Sequence, residues 1–475
     1  MGQMYLKGER KIRPGVYHRY ENATQTTDSG TLTGVCAIPI RSDWGPLGAV
    51  NRIAFSEKSR LTELYGSGGT VNAVTELFNG GANTVYVYRL GTGGTQASVT
   101  LKDTTAETAL DTVTVKALYP GTRKLSVAVR EKLGSEDQKE FLVLENTQIL
   151  ETFQFAADKT QEPANLVEAI ANIGSSYITA EKTADGNGTI AEVSNAALTG
   201  GQDPEVVNSD YSNAFNALEP YRVNCVTVDT IDVDVREMLI SYVERLFDAG
   251  KWCLAVVGDS TAKGFTTRLA ETKAINKKIV AYLGGGWKDA AEDIDGYRAV
   301  CRVCGVISST PTSESVVHAA IPGAAALLEN LTDSQMSDAY ESGMLVVSQS
   351  PDGTIWLDNS VTTLTNPDEN DDAGWKKIKR VMTRIELFDR LDRRLTQAIG
   401  KVNAWESGSI VQAAQSVLDA MVKETKLRSG ALVTEDPENP MTEDSIWLII
   451  QVDDIDTLEK IYLKYLLRAS VPATA

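Results

Sequence analysis

From residue 223 onward, short apolar runs alternate with amphipathic helical stretches, and that rhythm narrows the folds open to this chain more than any other feature. The run 223–228 reads as a strand. It is followed by a helix at 235–247 that puts Met238, Leu239, Tyr242, Val243, Leu246 and Phe247 on one face before Gly250 stops it. The pattern continues with a strand at 252–257, a helix at 266–275, a strand at 278–283 and a helix at 297–307. Alternating units of this length imply a mainly parallel sheet covered on both faces. An earlier stretch uses the same grammar. Val35, Ala37 and Ile38 form a short strand that Pro39 limits to an edge or an end, helices follow at 56–66 and 71–78, and TVYVY at 84–88 is β-branched and aromatic enough for a strand.

Between these halves the texture changes. From Gly91 to Gly201 the chain is Thr-rich and punctuated by Gly, with short runs at 112–118, 125–130 and 141–144 that suit a β-rich insertion bounded by GTGG and LTGG. Beyond the body, Pro351-Asp352-Gly353 between 344–348 and 354–357 predicts a hairpin, and NPDENDD at 366–372 is an acidic linker. The most regular helix spans 376–402, with Ile378, Val381, Met382, Ile385, Phe388, Leu391, Leu395, Ile399 and Val402 at three- and four-residue steps. A second helix at 409–424 and strands at 446–452 and 461–467 complete a C-terminal unit. The expectation is a multi-domain α/β chain: an extended arm at 1–20, a discontinuous core with a mainly parallel sheet at 21–95 and 202–354, a β-rich inserted domain at 96–201, and an α+β C-terminal domain with a terminal strand at 355–475. Its 475 residues suffice for about three domains.

Composition removes several function classes. With 46 Lys plus Arg against 64 Asp plus Glu, the net charge of -18 disfavours nucleic acid as a partner. No apolar run reaches the ~20 residues a membrane span needs, and no apolar stretch follows the charged start, so neither membrane insertion nor a secretion signal is expected. Five Cys and two His make disulfide frameworks, zinc sites and histidine-based hydrolysis poor fits. Cys301 and Cys304 lack a second pair of ligands and read as buried thiols. The turn GDSTAKG at 258–264 sits where α/β folds hold phosphates, but Lys263 precedes the Gly and so breaks the P-loop order. Asp453, Asp454 and Asp456 lack the Gly and terminal Glu of a calcium loop. No catalytic residue, metal or cofactor is expected.

What remains is charge segregation. Residues 376–394 carry eight Lys or Arg against three acids, whereas 435–459 hold nine acids and no base. Such fields suit contacts between copies or with an acidic partner.

Several segments carry a resemblance: RPGVY near the start, VCAIPIRSDWGP, FNGGANTVYVYRL, YPGTRKLSV, LTGGQD, LTDSQMSDAYESGMLVVSQSPDGTIWLDNSVTTLT and WLIIQVDDIDTLEKIYLKYLL. In that order, across nearly the whole chain, they resemble tail sheath proteins of contractile-tailed bacteriophages and phage-tail-like bacteriocins. The resemblance implies a subunit, assembled in a bacterial cytoplasm and resident in the virion tail, that stacks as six-subunit rings around a tail tube. It also implies baseplate and tail-terminator partners, and contraction that drives the tube through an envelope. The expected route of polymerisation is strand addition. The basic arm (Arg10, Lys11, Arg13, Val16, Tyr17 and Arg19) and the terminal strand (Ile461, Leu463 and Tyr465) join a neighbour's C-terminal sheet, and Asp453, Asp454, Asp456 and Glu459 support the encounter. Lys376, Lys377, Lys379, Arg380 and Arg384 are expected to face an acidic tube. The competing reading is an α/β enzyme, a hydrolase or nucleotide-binding protein, that uses the 258–264 turn.

Overall fold

A computed structural model describes residues 3–4, 17–18, 32–369, 371–399, 407–442 and 445–467. Arg10, Lys11, Arg13, Val16 and Arg19 lie outside these residues. Tyr17 falls in a two-residue strand, Tyr17–His18, that pairs in parallel with Gln3–Met4.

The centre of the body is a seven-stranded sheet. Its order is Met344–Leu345, Val280–Leu283, Leu254–Gly258, Cys225–Val226, Val35–Ile40, Thr84–Arg89 and Val50–Ala54, parallel throughout except for the last pair. Successive side chains in a strand point to opposite faces, so each strand feeds two cores. Cys36, Ile38, Val85, Val87, Leu254 and Val256 join one core with the helices Asn72–Asn79 and Gly296–Ser309. Ala37, Val226, Ala255 and Val257 join the other with Asn208–Leu218 and Val233–Asp248. The expected strand at 223–228 narrows to Cys225–Val226.

Helices Asn72–Asn79 and Gly296–Ser309 approach so closely that only glycine fits at their crossing. A Cβ at Gly305 would lie 2.3 Å from the Leu77 carbonyl oxygen and 2.9 Å from Gly80 Cα. Gly305→Ala is therefore expected to lower the unfolding free energy by about 1–3 kcal/mol, measured by urea denaturation.

The insertion is a pair of antiparallel sheets. One orders Gln148–Ala156, Gln138–Glu145, Leu125–Glu131 and Val193–Ala197; the other orders Ile178–Lys182, Asp111–Ala117 and Ser98–Lys102. It also contains a helix, Glu162–Ile173, that the β-rich reading missed; Pro163 in its first turn and Leu166 and Ile170 on its buried face are the signal. Trp44, from a loop of the body, is buried in the sandwich core with Phe141, Phe153 and Leu166.

The hydrophobic core of the body does not stop at 355. Ile355, Leu357, Val361, Leu364, Trp375, Ile378, Val381, Met382 and Ile385 all belong to it. A separate C-terminal core starts at Leu387.

Candidate assembly interface

One helix carries the chain from the body into its C-terminal unit. Ile378–Thr396 starts later than the periodicity predicts, because Ala373–Lys376 is a tight 3-10 turn capped by Asp372, and it gives way to a turn at 397–399; Val402 lies outside the described residues. Its first half buries Ile378, Val381, Met382 and Ile385 in the body. Its second half packs Leu387 and Leu391 against Ala414, Val417, Leu418 and Met421 of the helix Ser407–Lys423, with Val433 behind them. Val433 belongs to a two-stranded antiparallel sheet, Leu432–Glu435 with Leu448–Gln451. Among the described residues neither outer edge of this sheet has a strand partner. The face turned away from the helix exposes Leu432 and Ile449.

The charge opposition seen in the sequence is met inside the chain. Directly after the sheet, Arg428 N–H donates to the Asp453 carbonyl at 2.9 Å and Ile455 N–H to the Lys426 carbonyl at 3.0 Å. These two bonds lay 453–459 along the basic helix. Arg380 grips Asp454 with two guanidinium nitrogens, Nε at 2.9 Å, and Arg384 Nε reaches the same carboxylate at 3.1 Å while its other arm holds Asp372 at 2.8 Å. Lys377 pairs with Asp456 and Glu459, both at 2.8 Å. Lys379 donates to the Ile455 carbonyl, and Lys376 lies over the Tyr340 ring. Arg384 also stacks on Trp375, 4.5 Å from the ring centroid.

The titration behaviour follows. Burial alone would push the Asp454 carboxyl up, but the hydrogen bonds and charges of Arg380 and Arg384 outweigh it and hold it below its ordinary value. The stability this pairing contributes is therefore complete above the ordinary carboxylate range, about pH 4, and is lost only as pH falls through the still lower folded value. Burial pulls Lys377 down, yet Asp456 and Glu459 leave it above its usual value. Lys379, whose nearest partner is a neutral carbonyl, stays lowered by burial.

On this geometry Lys377, Lys379, Arg380 and Arg384 are engaged by Asp454, Ile455, Asp456 and Glu459 of the same chain. Asp453 remains exposed, 3.4 Å from an exposed Arg428. The terminal strand is absent from the isolated chain. Ile461, Leu463, Tyr465 and their neighbours through Leu467 form no ladder, with Tyr462 88% and Leu467 93% exposed. A strand needs a partner for its backbone, and within one chain this segment has none among the described residues.

The 258–264 turn, the alternative site, is filled by its own contacts. Lys263 holds Asp259 at 2.8 Å and also pairs with Glu271; Asp295 accepts from the Ser260 and Thr261 hydroxyls at 2.7 and 2.8 Å. Its donors face carboxylates, the reverse of an anion cradle. All five Cys are buried, and burial raises the thiols of Cys36, Cys225, Cys253, Cys301 and Cys304 away from reactivity. His318 stacks on Trp356 with ring centroids 4.1 Å apart.

The described residues thus form a two-sided α/β body, an inserted sandwich and a C-terminal unit in which the largely apolar segment 461–467 is exposed. The chain belongs to the phage tail sheath protein family: residues 92–203 match that family's beta-sandwich domain and residues 205–363 its central domain. It is thus a structural subunit of a contractile tail sheath and not an enzyme. It is 24% identical to the phage-like element PBSX protein XkdK of Bacillus subtilis (strain 168), covering 97% of this chain and 98% of that one. Its fold matches the sheath tail protein of Desulfitobacterium hafniense at a TM-score of 0.72 and 17% identity, over 93% of this chain and 100% of that one. The helical sheath of the anti-feeding prophage in its contracted state matches at a TM-score of 0.53 and 13% identity, over 96% and 99% of the two chains.

Proposed function

We propose that copies of this chain polymerise as stacked six-subunit rings around a tail tube, and that repacking of the rings drives the tube through a target envelope. The observation that carries this reading is that the chain has both an uncovered, largely apolar segment, 461–467, and a two-stranded sheet with no strand partner at either edge among the described residues. Strand alternation would put Ile461, Leu463, Tyr465 and Leu467 on one face, which gives a donated strand a wholly apolar side. Each ladder bond contributes about 1 kcal/mol net, whereas each large side chain buried contributes about 1.5–3 kcal/mol, so the apolar face supplies most of the adhesion and the ladder fixes register. The N-terminal arm, with Val16 and Tyr17 among Arg10, Lys11, Arg13 and Arg19, is the second donated segment.

Contraction requires two packings of one subunit, the extended one higher in free energy and held by a barrier; no nucleotide is needed. A tail tube, a baseplate and a terminator are the partners this role entails, in a virion tail or a related injection particle. A solved baseplate assembly of the anti-feeding prophage contains a chain of similar fold, which supports the baseplate contact.

Two truncations test the linkage. Chains lacking 1–20, or lacking everything after Lys460, are expected to keep the circular dichroism and melting temperature of the full chain and to remain monomers by light scattering and negative-stain microscopy. Sheaths of normal length from either truncation would refute the role of that arm. Leu463→Glu, which charges the apolar face, is expected to weaken polymerisation at least tenfold.

A further inference from the structure

The carboxylates of Asp454, Asp456 and Glu459 land on the first half of the helix Ile378–Thr396, the half whose opposite face is embedded in the body. The last tie in this series is Lys460, whose ammonium lies 5.6 Å from the centre of the Tyr340 ring on the helix Asp333–Ser342, beside Lys376. From Ile461 onward no hydrogen bond or ion pair is present among the described residues. The C-terminal arm therefore connects to the body through helix and ion pairs, and not through the small sheet alone.

We propose that this cluster is a bolt that fixes the root of the C-terminal arm to the body and places the pivot of the arm at Lys460–Ile461. The inference rests on reading 461–467 as the link between copies and adds where that link bends. When copies change their packing, residues up to Glu459 travel with the body and the swing is confined to the residues after Lys460.

The groups facing the bolt come from four elements. Arg380, Arg384, Lys377 and Lys379 come from the helix and its cap, Asp372 from the turn before it, the Lys426 carbonyl and Arg428 from the loop after the helix Ser407–Lys423, and Asp453 from the arm root itself; the Lys426 ammonium turns away to Glu386 and Glu424. Physiological salt largely screens exposed charges more than about 8 Å apart, but Asp454 and Arg384 are in direct contact and largely shielded from solvent by the helix and Trp375. The bolt should stay shut in high salt.

Hydrogen exchange on the full-length monomer at neutral pH tests this without any polymer. The amides of Ile455 and Arg428, which together close the isolated bridge Leu427–Asp454 at the root, are expected to be protected, and those of 461–467 to exchange at the rate of unstructured chain. Asp454→Asn combined with Glu459→Gln should reduce protection of Ile455 and Arg428 tenfold or more and leave 461–467 unchanged. Protection that survives the substitutions, or protected amides at 461–467 in the wild-type monomer, would overturn the bolt. Should the double variant not fold, spin labels in wild-type sheaths decide: the distance from Ser337 to 458 is expected to be equal before and after contraction, and that from Ser337 to 466 to change. A shift at 458 as large as that at 466 would also overturn it. Loss of polymers in the arm truncation with the bolt intact, or the reverse, separates this inference from the proposed linkage.

Discussion

Glu76→Ala is expected to destabilise the protein by about 3–5 kcal/mol, the range for removing one partner of a buried pair. Glu76 is 2% exposed on the helix Asn72–Asn79. It accepts from Arg302 Nε at 2.7 Å and from Arg298 at 2.7 and 3.2 Å, both on the helix Gly296–Ser309. Without it, Arg302, itself 2% exposed, keeps only Asp289 and the Pro322 carbonyl, both at 2.9 Å near its outer end. The loss lies in leaving the inner side of a buried cation without an acceptor, and not in any large favourable energy of the pair. Replacing both partners by apolar groups of similar volume, Glu76→Leu with Arg302→Met, is therefore expected to recover much of the loss. Urea denaturation of the two variants distinguishes the cases. If the double replacement is as unstable as the single one, packing and not desolvation governs the site.

The sequence made the periodic parts of the fold legible because periodicity is local. Two-sided burial of the central strands, the insertion and the long helix all leave a trace within ten or twenty residues. The insertion helix Glu162–Ile173 was hidden because its apolar positions lie among Thr- and Gly-rich neighbours that set the reading for the whole stretch. The charge cluster was visible only as a count. Signs alone cannot say whether Arg380 meets an acid of its own chain or of another, and the answer, Asp454, lies 74 residues away. For 461–467 the alternation is encoded in the sequence, but a strand also needs a partner backbone, and among the described residues the chain supplies none; under the proposed linkage a neighbouring copy would supply it.

The second large effect is expected at the junction of body and sandwich, where Trp44→Ala should destabilise by about 3–5 kcal/mol. Trp44 is 1% exposed, stands edge-on to Tyr119 with centroids 5.2 Å apart, and stacks with Tyr177 at 6.3 Å. Arg123 lies between Trp44 and Tyr177, about equally close to both at 5.2 and 5.1 Å, and fixes this position by gripping Glu145 at 2.9 and 3.0 Å and the Glu63 carbonyl at 3.1 Å. Fully buried Arg89 ties the same loop to the sandwich through the Ser42 and Pro120 carbonyls at 2.9 and 2.8 Å. Gly121 closes the joint. Its φ is +155°, and a Cβ there would sit 1.9 Å from the Asp43 carbonyl oxygen. With Trp44, Arg89 and Arg123 all buried at the joint, the two domains should melt as one unit in the wild type. Removing the indole should split the calorimetric transition in two and open the crossings near 91–95 and 199–203 to protease. A single transition at an unchanged midpoint would show that the joint does not couple the domains. Polymerisation of Trp44→Ala should persist, because the proposed linking segments lie on the C-terminal unit and at the N-terminus. What should fail is transmission. A sheath whose subunits flex at this joint has two soft bodies to rotate instead of one stiff one, and force generated by repacking would be dissipated in the joint.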